Sequence, residues 1–377
     1  MNQKIYLDNN GSTFLDPAVR DLLISSLQLK MGNPSSIHSF GKEAKSELFR
    51  ARDSIAHYLR VKPAELVFTS GGTENANMVL RGVFAEKPDG HLITSAVEHA
   101  CVYSTAQILE KSGTSVTYLL PGTIGAVSPQ AVKEAIRPNT SLIALMAVNN
   151  ETGVKTDIEA IAKIADQHRI PFFVDGVALL GKEPFTIHKG ISAMSFSGHK
   201  IHAPQGTGVL FIRSGFKLQP IITGGEQEYG RRSGTENMLG ILALAKAFEL
   251  LKSNLTEASE RMMQLRDQFE KIILQRLPDV FINGDGPRTA NVSNLAFSGI
   301  DGESLLIALD NAGLSASHGS ACSSGASEPS RILVNMGLPS QIVLSSIRFS
   351  LSRFTTEGEI EQAVNLICSI VERMRRR

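Results

Sequence analysis

Two polar residues follow apolar, strand-like stretches and have side chains suited to chemistry. Asp175 lies in IPFFVDG, and Lys200 lies in SGHK after ISAMSFS. A buried carboxylate needs a cationic or proton-donating partner, and an amine that has lost its proton is a nucleophile. Taken singly, the aspartate is equally well explained as a helix cap or turn residue, and the lysine as a surface residue. An acid and an amine at neighbouring strand ends form a more specific pair.

A third polar stretch follows another strand pattern. In FTSGGTENANM, residues 70–73 come after apolar residues and begin a helical pattern. Free backbone N–H groups and the positive end of the helix dipole favour an anion such as phosphate at this point. A structural N-cap remains open. The stretch lacks the Gly-Lys-Ser/Thr ending of a Walker A loop and the glycine spacing of a dinucleotide fingerprint, so a different phosphorylated ligand is required.

The three features together match the needs of one cofactor. Pyridoxal phosphate requires a lysine that condenses with its aldehyde, an acid beside its pyridine nitrogen, and donors for its phosphate. Lys200, Asp175 and residues 70–73 supply one of each. The residues therefore predict a pyridoxal-phosphate site, provided that the fold brings them together.

The elements that must position these residues alternate along most of the chain. Seven apolar or β-branched runs are separated in several places by helical patterns such as DIEAIAKIADQHR; the runs are ELVFTS, HLITSAV, SVTYLL, SLIALMAV, IPFFVDG, ISAMSFS and TGVLFIR. This alternation predicts an α/β fold with a mostly parallel sheet flanked by helices. A strongly helical stretch at about 237–275 follows. The patterns beyond it predict a smaller α+β unit.

Composition and charge indicate the class of partner. The chain has 377 residues, of which 42% are hydrophobic, enough for a large core and a soft indication of two domains. Lys and Arg total 38 against 37 for Asp and Glu, so no charge excess favours nucleic acid or an anionic membrane. Three cysteines without a spaced framework favour reduced thiols. Without a signal-like start or a long apolar run, we expect a soluble, cytoplasmic protein that acts on a small molecule.

Ten motifs in a fixed order make the sequence similar to a known family. They are YLDNN, GNPSSIHSFG, VFTSGGTENAN, VEHA, VNNETGV, FVDG, MSFSGHKI, RRSGTEN, GSACSSGASEPSRIL and IRFSLSRFT. The chain resembles, nearly end to end, the cysteine desulfurases of the class V, fold-type-I pyridoxal-phosphate enzymes. The resemblance implies a large domain of residues 15–255 that binds the cofactor. It also implies a small α+β domain of residues 1–14 and 256–377 that carries a cysteine loop.

The same resemblance implies roles for the cofactor-binding residues. Lys200 would bind the aldehyde, Asp175 would pair with the pyridinium nitrogen, and His99 would stack on the ring and transfer protons. The other implied cofactor contacts are Gly72, Thr73, Asn150, Ser197, His199 and Thr235. In the family, the threonine of RSGTEN reaches the phosphate from the neighbouring subunit. Thr235 therefore implies a homodimer with shared active sites.

Substrate contacts are implied in the same way. Asn150 and Arg348 match residues around the substrate's α-carboxylate, and the planar fork of arginine fits two carboxylate oxygens. Asn33 in GNPSS is a further candidate, although a turn asparagine explains it equally well. No metal site is predicted.

Cys322 is the second implied nucleophile, beside Lys200. Its small neighbours in HGSACSSGAS predict an exposed loop thiol. Attack by its thiolate on the sulfur of a cofactor-bound cysteine would leave alanine and a persulfide, which the loop could carry to an acceptor. Cys368 in LICSIV is predicted to lie in the core. Cys101, close to His99, is interpreted as a packed helical cysteine.

Two stretches depart from the family pattern. After Asp175 the family usually has a threonine and then a glutamine that donates to the cofactor's phenolic oxygen, whereas this chain has Val177 and Ala178. One lost hydrogen bond to a charged oxygen costs about 1.5–3 kcal/mol, enough to alter the rate without excluding binding. Ala203 and Gln205 stand where the family more often has glycine and a basic residue.

Three functional hypotheses result. The leading one is a pyridoxal-phosphate-dependent cysteine desulfurase that converts L-cysteine to L-alanine. It would pass the sulfur from Cys322 to acceptor or scaffold proteins for iron–sulfur cluster or thio-cofactor assembly. A related lyase or aminotransferase, for example one acting on selenocysteine, would not need Cys322. A non-catalytic scaffold for sulfur-transfer partners is the third, motivated by the missing glutamine.

Overall fold

The computed structural model of the chain describes residues 4–319 and 329–376. The strands are Ile5–Tyr6 (β1), Leu66–Thr69 (β2), His91–Ser95 (β3), Ser115–Leu119 (β4), Thr140–Met146 (β5), Phe172–Asp175 (β6), Ala193–Ser197 (β7), Gly208–Ile212 (β8), Val280–Ile282 (β9), Val292–Phe297 (β10), Leu314–Ser315 (β11) and Ser346–Ser350 (β12). The α-helices are Pro17–Ser26 (α1), Ser39–Leu59 (α2), Gly72–Glu86 (α3), Ala100–Lys111 (α4), Pro129–Ala135 (α5), Ile158–His168 (α6), Met238–Arg276 (α7), Gly302–Asn311 (α8), Arg331–Asn335 (α9), Ser340–Leu344 (α10) and Glu357–Arg375 (α11).

Seven strands form the central sheet, in the order β2-β8-β7-β6-β5-β3-β4. β8 pairs antiparallel with both of its neighbours, and the other pairings are parallel. These strands are the seven apolar runs of the sequence, so the predicted mostly parallel sheet is confirmed. Their runs are continuous rather than alternating because helices cover both faces of the sheet. Phe172 and Phe173, adjacent in β6, accordingly enter two different apolar clusters on opposite faces.

The carboxyl ends of β2, β3, β5, β6 and β7 lie along one edge of this sheet, where β8 begins. Ser197, the last residue of β7, and Thr69, the last of β2, both pair with Gly208, the first of β8. In open parallel sheets, ligands bind in the crevice outside the carboxyl ends of the strands. The topology therefore directs attention to the loops after β2, β3, β6 and β7.

The remaining strands form two smaller sheets. β12-β10-β9 is antiparallel, and β1 pairs in parallel with β11. A separate apolar cluster packs around them, including Leu7, Phe269, Phe297 and Phe349. The long helix α7 contributes to both cores, with Phe248 under the central sheet and Phe269 in the smaller cluster. This separation of cores supports the domain division at residues 14/15 and 255/256, which stays a prediction.

None of the helices in the described part of the chain is long and apolar enough to cross a membrane.

Candidate active site

The structure brings the predicted acid and amine to adjacent strands. β6 ends at Asp175, β7 ends at Ser197, and a short 3-10 turn over Gly198–Lys200 follows β7. Around them lies a cavity, called here the strand-end cavity. Its lining residues are Asn10, Gly11, Gly72, Thr73, His99, Cys101, Met146, Val148, Asn150, Asp175, Val177, Ala178, Lys182, Ser197, His199, Lys200 and Arg348. Most of the residues predicted to bind the cofactor or the substrate thus share one cavity.

Asp175 lines the strand-end cavity as a buried carboxyl group. Its residue exposure is 7%, and its Oδ1 accepts a hydrogen bond from the backbone N–H of Val177 at 3.0 Å. Burial raises the pKa of Asp175, whereas the nearby His99 and Lys200 act in the opposite direction. A carboxylate held this way gains from a cationic partner, such as a protonated ring nitrogen.

Lys200, the last residue of the 3-10 turn, is held by the N-terminal segment of the chain. Its Nζ donates to the backbone carbonyl oxygens of Asn10 and Gly11, the latter at 2.8 Å. The backbone of Thr13 in turn donates to the carbonyl oxygen of His199 at 2.8 Å. Residues 10–13 therefore form one wall of the site and fix the turn that carries the lysine.

The glycine-rich stretch after β2 forms a cradle at the start of α3. Gly71 has φ of 147°, a backbone conformation that side-chain-bearing residues rarely adopt, and it has no side chain to cap the helix. The first N–H groups of α3 thus remain for an anion. A second cavity opens here and shares Gly11, Gly72, Thr73, Ser197 and His199 with the strand-end cavity. The two cavities adjoin through these five residues, an arrangement that suits a ring with a phosphate arm.

The imidazoles in this region are held neutral. Burial lowers the pKa of His199 to about 4, with Lys200 and His99 acting in the same direction. Its Nδ1 lies 3.4 Å from Ser12 Oγ, which also accepts from Gln205 Nε2 at 3.3 Å. A neutral His199 contributes one N–H to the cradle rather than a positive charge.

Arg348 is a buried cation that also lines the strand-end cavity. Its residue exposure is 1%, its Nη2 pairs with Asp8 Oδ1 at 2.6 Å, and its Nη1 donates to the carbonyl oxygen of Asn150 at 3.1 Å. Within the described part of the chain, Arg348 Nε and Asn150 Oδ1 are buried without hydrogen-bond partners. Buried polar atoms are seldom left unpaired, so these two indicate a place for a polar ligand.

Two predicted site residues lie outside the strand-end cavity of this single chain. Asn33 is exposed, and its Oδ1 accepts from the backbone N–H of Ser35 at 2.9 Å, as expected of a turn asparagine. Thr235 is exposed and borders a different cavity with Glu236 and Arg232. Their proposed roles in substrate and phosphate binding stay predictions. Cys322 lies outside the described residues.

The structure also adds residues that sequence reasoning did not single out. Asp8, Asn10 and Ser12 enter the site although they precede Lys200 by nearly two hundred residues. Lys182 lines the cavity with 3% exposure, and its Nζ donates to the carbonyl oxygen of Lys200 at 3.1 Å. The polar run DNNGS after β1 could have indicated the first three residues, whereas no local sequence pattern around Lys182 predicts a site residue.

The described residues fit pyridoxal phosphate. The backbone cradle at α3 suits the phosphate, the buried carboxylate of Asp175 suits the pyridine nitrogen, and Lys200 suits the aldehyde. Val177 and Ala178 both line the cavity, and neither side chain can donate a hydrogen bond. The departure noted in the sequence therefore lies inside the site itself.

The fold and this site define a pyridoxal-phosphate enzyme of the class-V aminotransferase type. The family model described as "Aminotransferase class-V" matches residues 5–363. A cysteine desulfurase from a Nostoc species is 41% identical over 374 residues, covering 98% of this chain and 94% of the relative. "Cysteine desulfurase IscS" from Dictyoglomus turgidum is 40% identical over 379 residues, covering 100% and 96%.

Solved structures agree. A structure titled "NifS-like protein" superposes with a TM-score of 0.91 at 32% identity, covering 98% of this chain and 100% of the other. A structure titled "SspA in complex with cysteine" gives 0.83 at 33% identity, covering 93% and 100%. The chain belongs to the cysteine desulfurase family. Its activity is pyridoxal-phosphate-dependent desulfuration of cysteine, which mobilises sulfur.

Proposed function

We propose that the chain converts L-cysteine to L-alanine and receives the sulfur as a persulfide on Cys322. In the balanced reaction, the C–S bond of cysteine breaks and an S–S bond forms on the Cys322 sulfur. Hydrogen balances, because the alanine methyl group gains the proton that Cys322 loses and the transferred sulfur keeps the other. The observation that carries the proposal is that Lys200, Asp175, the α3 cradle and Arg348 share one cavity. The cysteine held by the similar SspA structure supports the same substrate.

The cofactor-holding residues follow from this geometry. Lys200 would hold the aldehyde carbon, Asp175 the ring nitrogen, and Gly72, Thr73, Ser197 and His199 the phosphate, with His99 beside the ring. When bound, pyridoxal phosphate supplies an electron sink that lets bonds next to the amino-bearing carbon of the substrate break.

The substrate end is assigned to Arg348 and Asn150. Arg348 Nε is a donor and Asn150 Oδ1 is an acceptor, and both are buried without a partner. The α-carboxylate of an amino acid can accept from the first, and its α-amino group can donate to the second. Asp8 keeps the guanidinium plane fixed through its 2.6 Å ion pair. His99, with an imidazole in the same cavity, is assigned to proton transfer at the substrate. Asn33 is retained as an outer substrate contact.

We infer a homodimer in which Thr235 serves the site of the partner subunit. Large apolar side chains are exposed on a stretch between residues 14 and 49, including Phe14, Leu27 and Ile37. A cluster of such residues supports a protein interface.

The sulfur is proposed to go to acceptor or scaffold proteins for iron–sulfur cluster or thio-cofactor assembly. The chain has three cysteines, an odd number without the spacing of a disulfide framework, which supports reduced thiols and a cytoplasmic location.

The test is sulfide release from L-cysteine in the presence of a thiol reductant, with the visible spectrum recorded alongside. Lys200→Ala should lose both the cofactor band and turnover. Cys322→Ala should keep the band and fail to release sulfide. Matched controls are Lys189→Ala, whose side chain is 85% exposed, and Cys368→Ala in the small-domain core, both expected to stay active.

Two outcomes would reject parts of this proposal. A coloured, fully active Lys200→Ala enzyme would overturn the site. Cysteine turnover that survives Cys322→Ala would instead favour a related lyase that does not form a persulfide on this residue.

A further inference from the structure

His99 is the residue before α4, and it caps that helix with its own ring. Its Nδ1 accepts a hydrogen bond from the backbone N–H of Cys101 at 3.2 Å. An imidazole nitrogen that accepts a hydrogen bond must present its lone pair and therefore carries no proton. Because a neutral imidazole has one N–H, the proton of a neutral His99 resides on Nε2.

The thiol of Cys101 reinforces this arrangement. Cys101 Sγ lies 3.0 Å from the same Nδ1, and both residues line the strand-end cavity. Burial raises the pKa of the Cys101 thiol well above its ordinary value, with Asp175 and Glu98 acting in the same direction. The thiol therefore keeps its proton and serves as a donor toward Nδ1.

A thiolate–imidazolium pair is the alternative arrangement for two such groups. It would require a proton on Nδ1, pointing at the sulfur. The backbone N–H of Cys101 already points at that nitrogen, so a proton there would place two N–H groups against each other. The geometry thus favours the neutral pair, thiol and imidazole.

The charges around His99 are mixed. Burial lowers the pKa of His99, Asp175 raises it, and Lys200, Arg331 and Arg348 lower it. The charged groups that act on the His99–Cys101 pair come from several elements. They are Glu98 just before α4, which acts on Cys101, and Asp175 on β6, Lys200 after β7, Arg331 on α9 and Arg348 on β12. In the cofactor-free chain, burial and these three cations together outweigh Asp175 and favour the uncharged ring.

We propose that Cys101 is a positioning residue that, through its thiol and its backbone N–H, holds His99 as the neutral Nε2–H form. His99 then presents its Nε2–H to the cavity as a hydrogen-bond donor, and it can accept a proton only on Nδ1, the nitrogen that Cys101 occupies. The proposal rests on the assignment of His99 to proton transfer, but the state of the ring can be measured without turnover.

The test is nuclear magnetic resonance of full-length holoenzyme carrying nitrogen-15-labelled histidine, with the His99 signals assigned by their loss in His99→Gln. We expect a pyridine-type Nδ1 and a pyrrole-type Nε2. In Cys101→Ala the loss of one donor should tighten proton binding to His99 by about threefold to tenfold. Cys101→Ser, which keeps a donor, should restore the wild-type titration. Cys368→Ala, which removes a thiol in another core, should change nothing.

A pyrrole-type Nδ1 in the wild-type enzyme would overturn the proposal. So would a His99 titration that is identical in wild type and Cys101→Ala. Failure of the desulfurase assignment would be seen separately, as absence of sulfide release by a wild-type protein whose ring nitrogens still give the expected pattern.

Discussion

Lys182 and Lys200 are two amines that line one cavity, and they are linked by a hydrogen bond from the first side chain to the backbone oxygen of the second. Burial lowers the pKa of Lys182 to about 7, with Lys200 and Arg353 acting in the same direction. Lys182 therefore changes charge near neutral pH, inside the site, although its ammonium is not the one expected to hold the cofactor.

The altered pKa of Lys182 predicts a pH-dependent stability. Between about pH 7 and pH 10.5 the unfolded chain binds more protons at this lysine than the folded chain does. Wild-type stability therefore gains with rising pH from this group, by at most about 1.4 kcal/mol per pH unit. In Lys182→Met this gain is absent. The free energy of unfolding of the variant, relative to that of wild type, should therefore be highest at pH 7 and fall as the pH rises.

Urea unfolding of the cofactor-free protein over this pH range measures the difference. Other titrating groups cancel in the comparison of variant with wild type. Lys189→Met, at an exposed position, should give a curve parallel to wild type. A Lys182→Met curve that is also parallel would refute the lowered pKa.

At the scale of elements, one buried ion pair ties the loop before α7 to the central sheet. Arg52 on α2 forms two hydrogen bonds with the carboxylate of Glu228, at 2.7 and 2.8 Å, and also donates to the carbonyl oxygen of Leu66. Glu228 accepts from the backbone N–H of Phe68 on β2 at 2.9 Å. Glu228 and Tyr229 both have left-handed φ values, of 49° and 60°. The ion pair holds this strained backbone in the loop that leads to Thr235.

Removing half of this pair should be costly. In Glu228→Gln, Arg52 becomes a buried charge without its counter-ion, and we expect a loss of about 3–5 kcal/mol in the free energy of unfolding. Glu47→Gln, in the exposed Arg50–Glu47 pair, should have little effect. Urea denaturation followed by circular dichroism compares the two variants. Equal unfolding midpoints would show that the buried pair does not stabilise the fold.

At the scale of the whole molecule, the distribution of site residues between subunits is open to a direct test. In a homodimer formed by either variant alone, Lys200→Ala or Thr235→Val should damage both sites of the proposed assembly. If Thr235 serves the partner's site, mixed dimers of the two variants contain one damaged site with both changes and one intact site.

Co-refolded or co-expressed variants should therefore regain sulfide release. With random pairing, half of the dimers are mixed, so activity should rise by about a quarter of the wild-type value above the mean of the separate variants. The matched control replaces Thr235→Val by His99→Gln, which belongs to the same chain's cavity as Lys200. In this control dimer each site carries one of the two changes, so both sites are damaged and no gain is expected. Absence of a gain in the first mixture would argue against shared sites.

Much of this architecture could be predicted from the sequence alone. Each of these features is encoded in a continuous stretch of sequence: the seven strands of the central sheet, the long helix predicted at about 237–275 and found at Met238–Arg276, and the acid, the amine and the glycine-rich cradle. Asn33 and Thr235 show the limit. Their motifs were clear, yet one chain does not bring them to the cavity, so both roles stay predictions, and that of Thr235 requires the proposed dimer.

The chain sequence by itself determined the alternation of strands and helices, the chemistry at each strand end and the family. Tertiary structure decided which distant groups meet. The carbonyl oxygens of Asn10 and Gly11 bind Lys200 across 190 and 189 positions, and Asp8 pairs with Arg348 across 340. Local side-chain pattern fixes periodicity and burial, but contacts over such separations follow from how strands pair and in what order. For that reason the contacts of Lys182, Asp8 and the His99 ring could be assigned only from the folded chain.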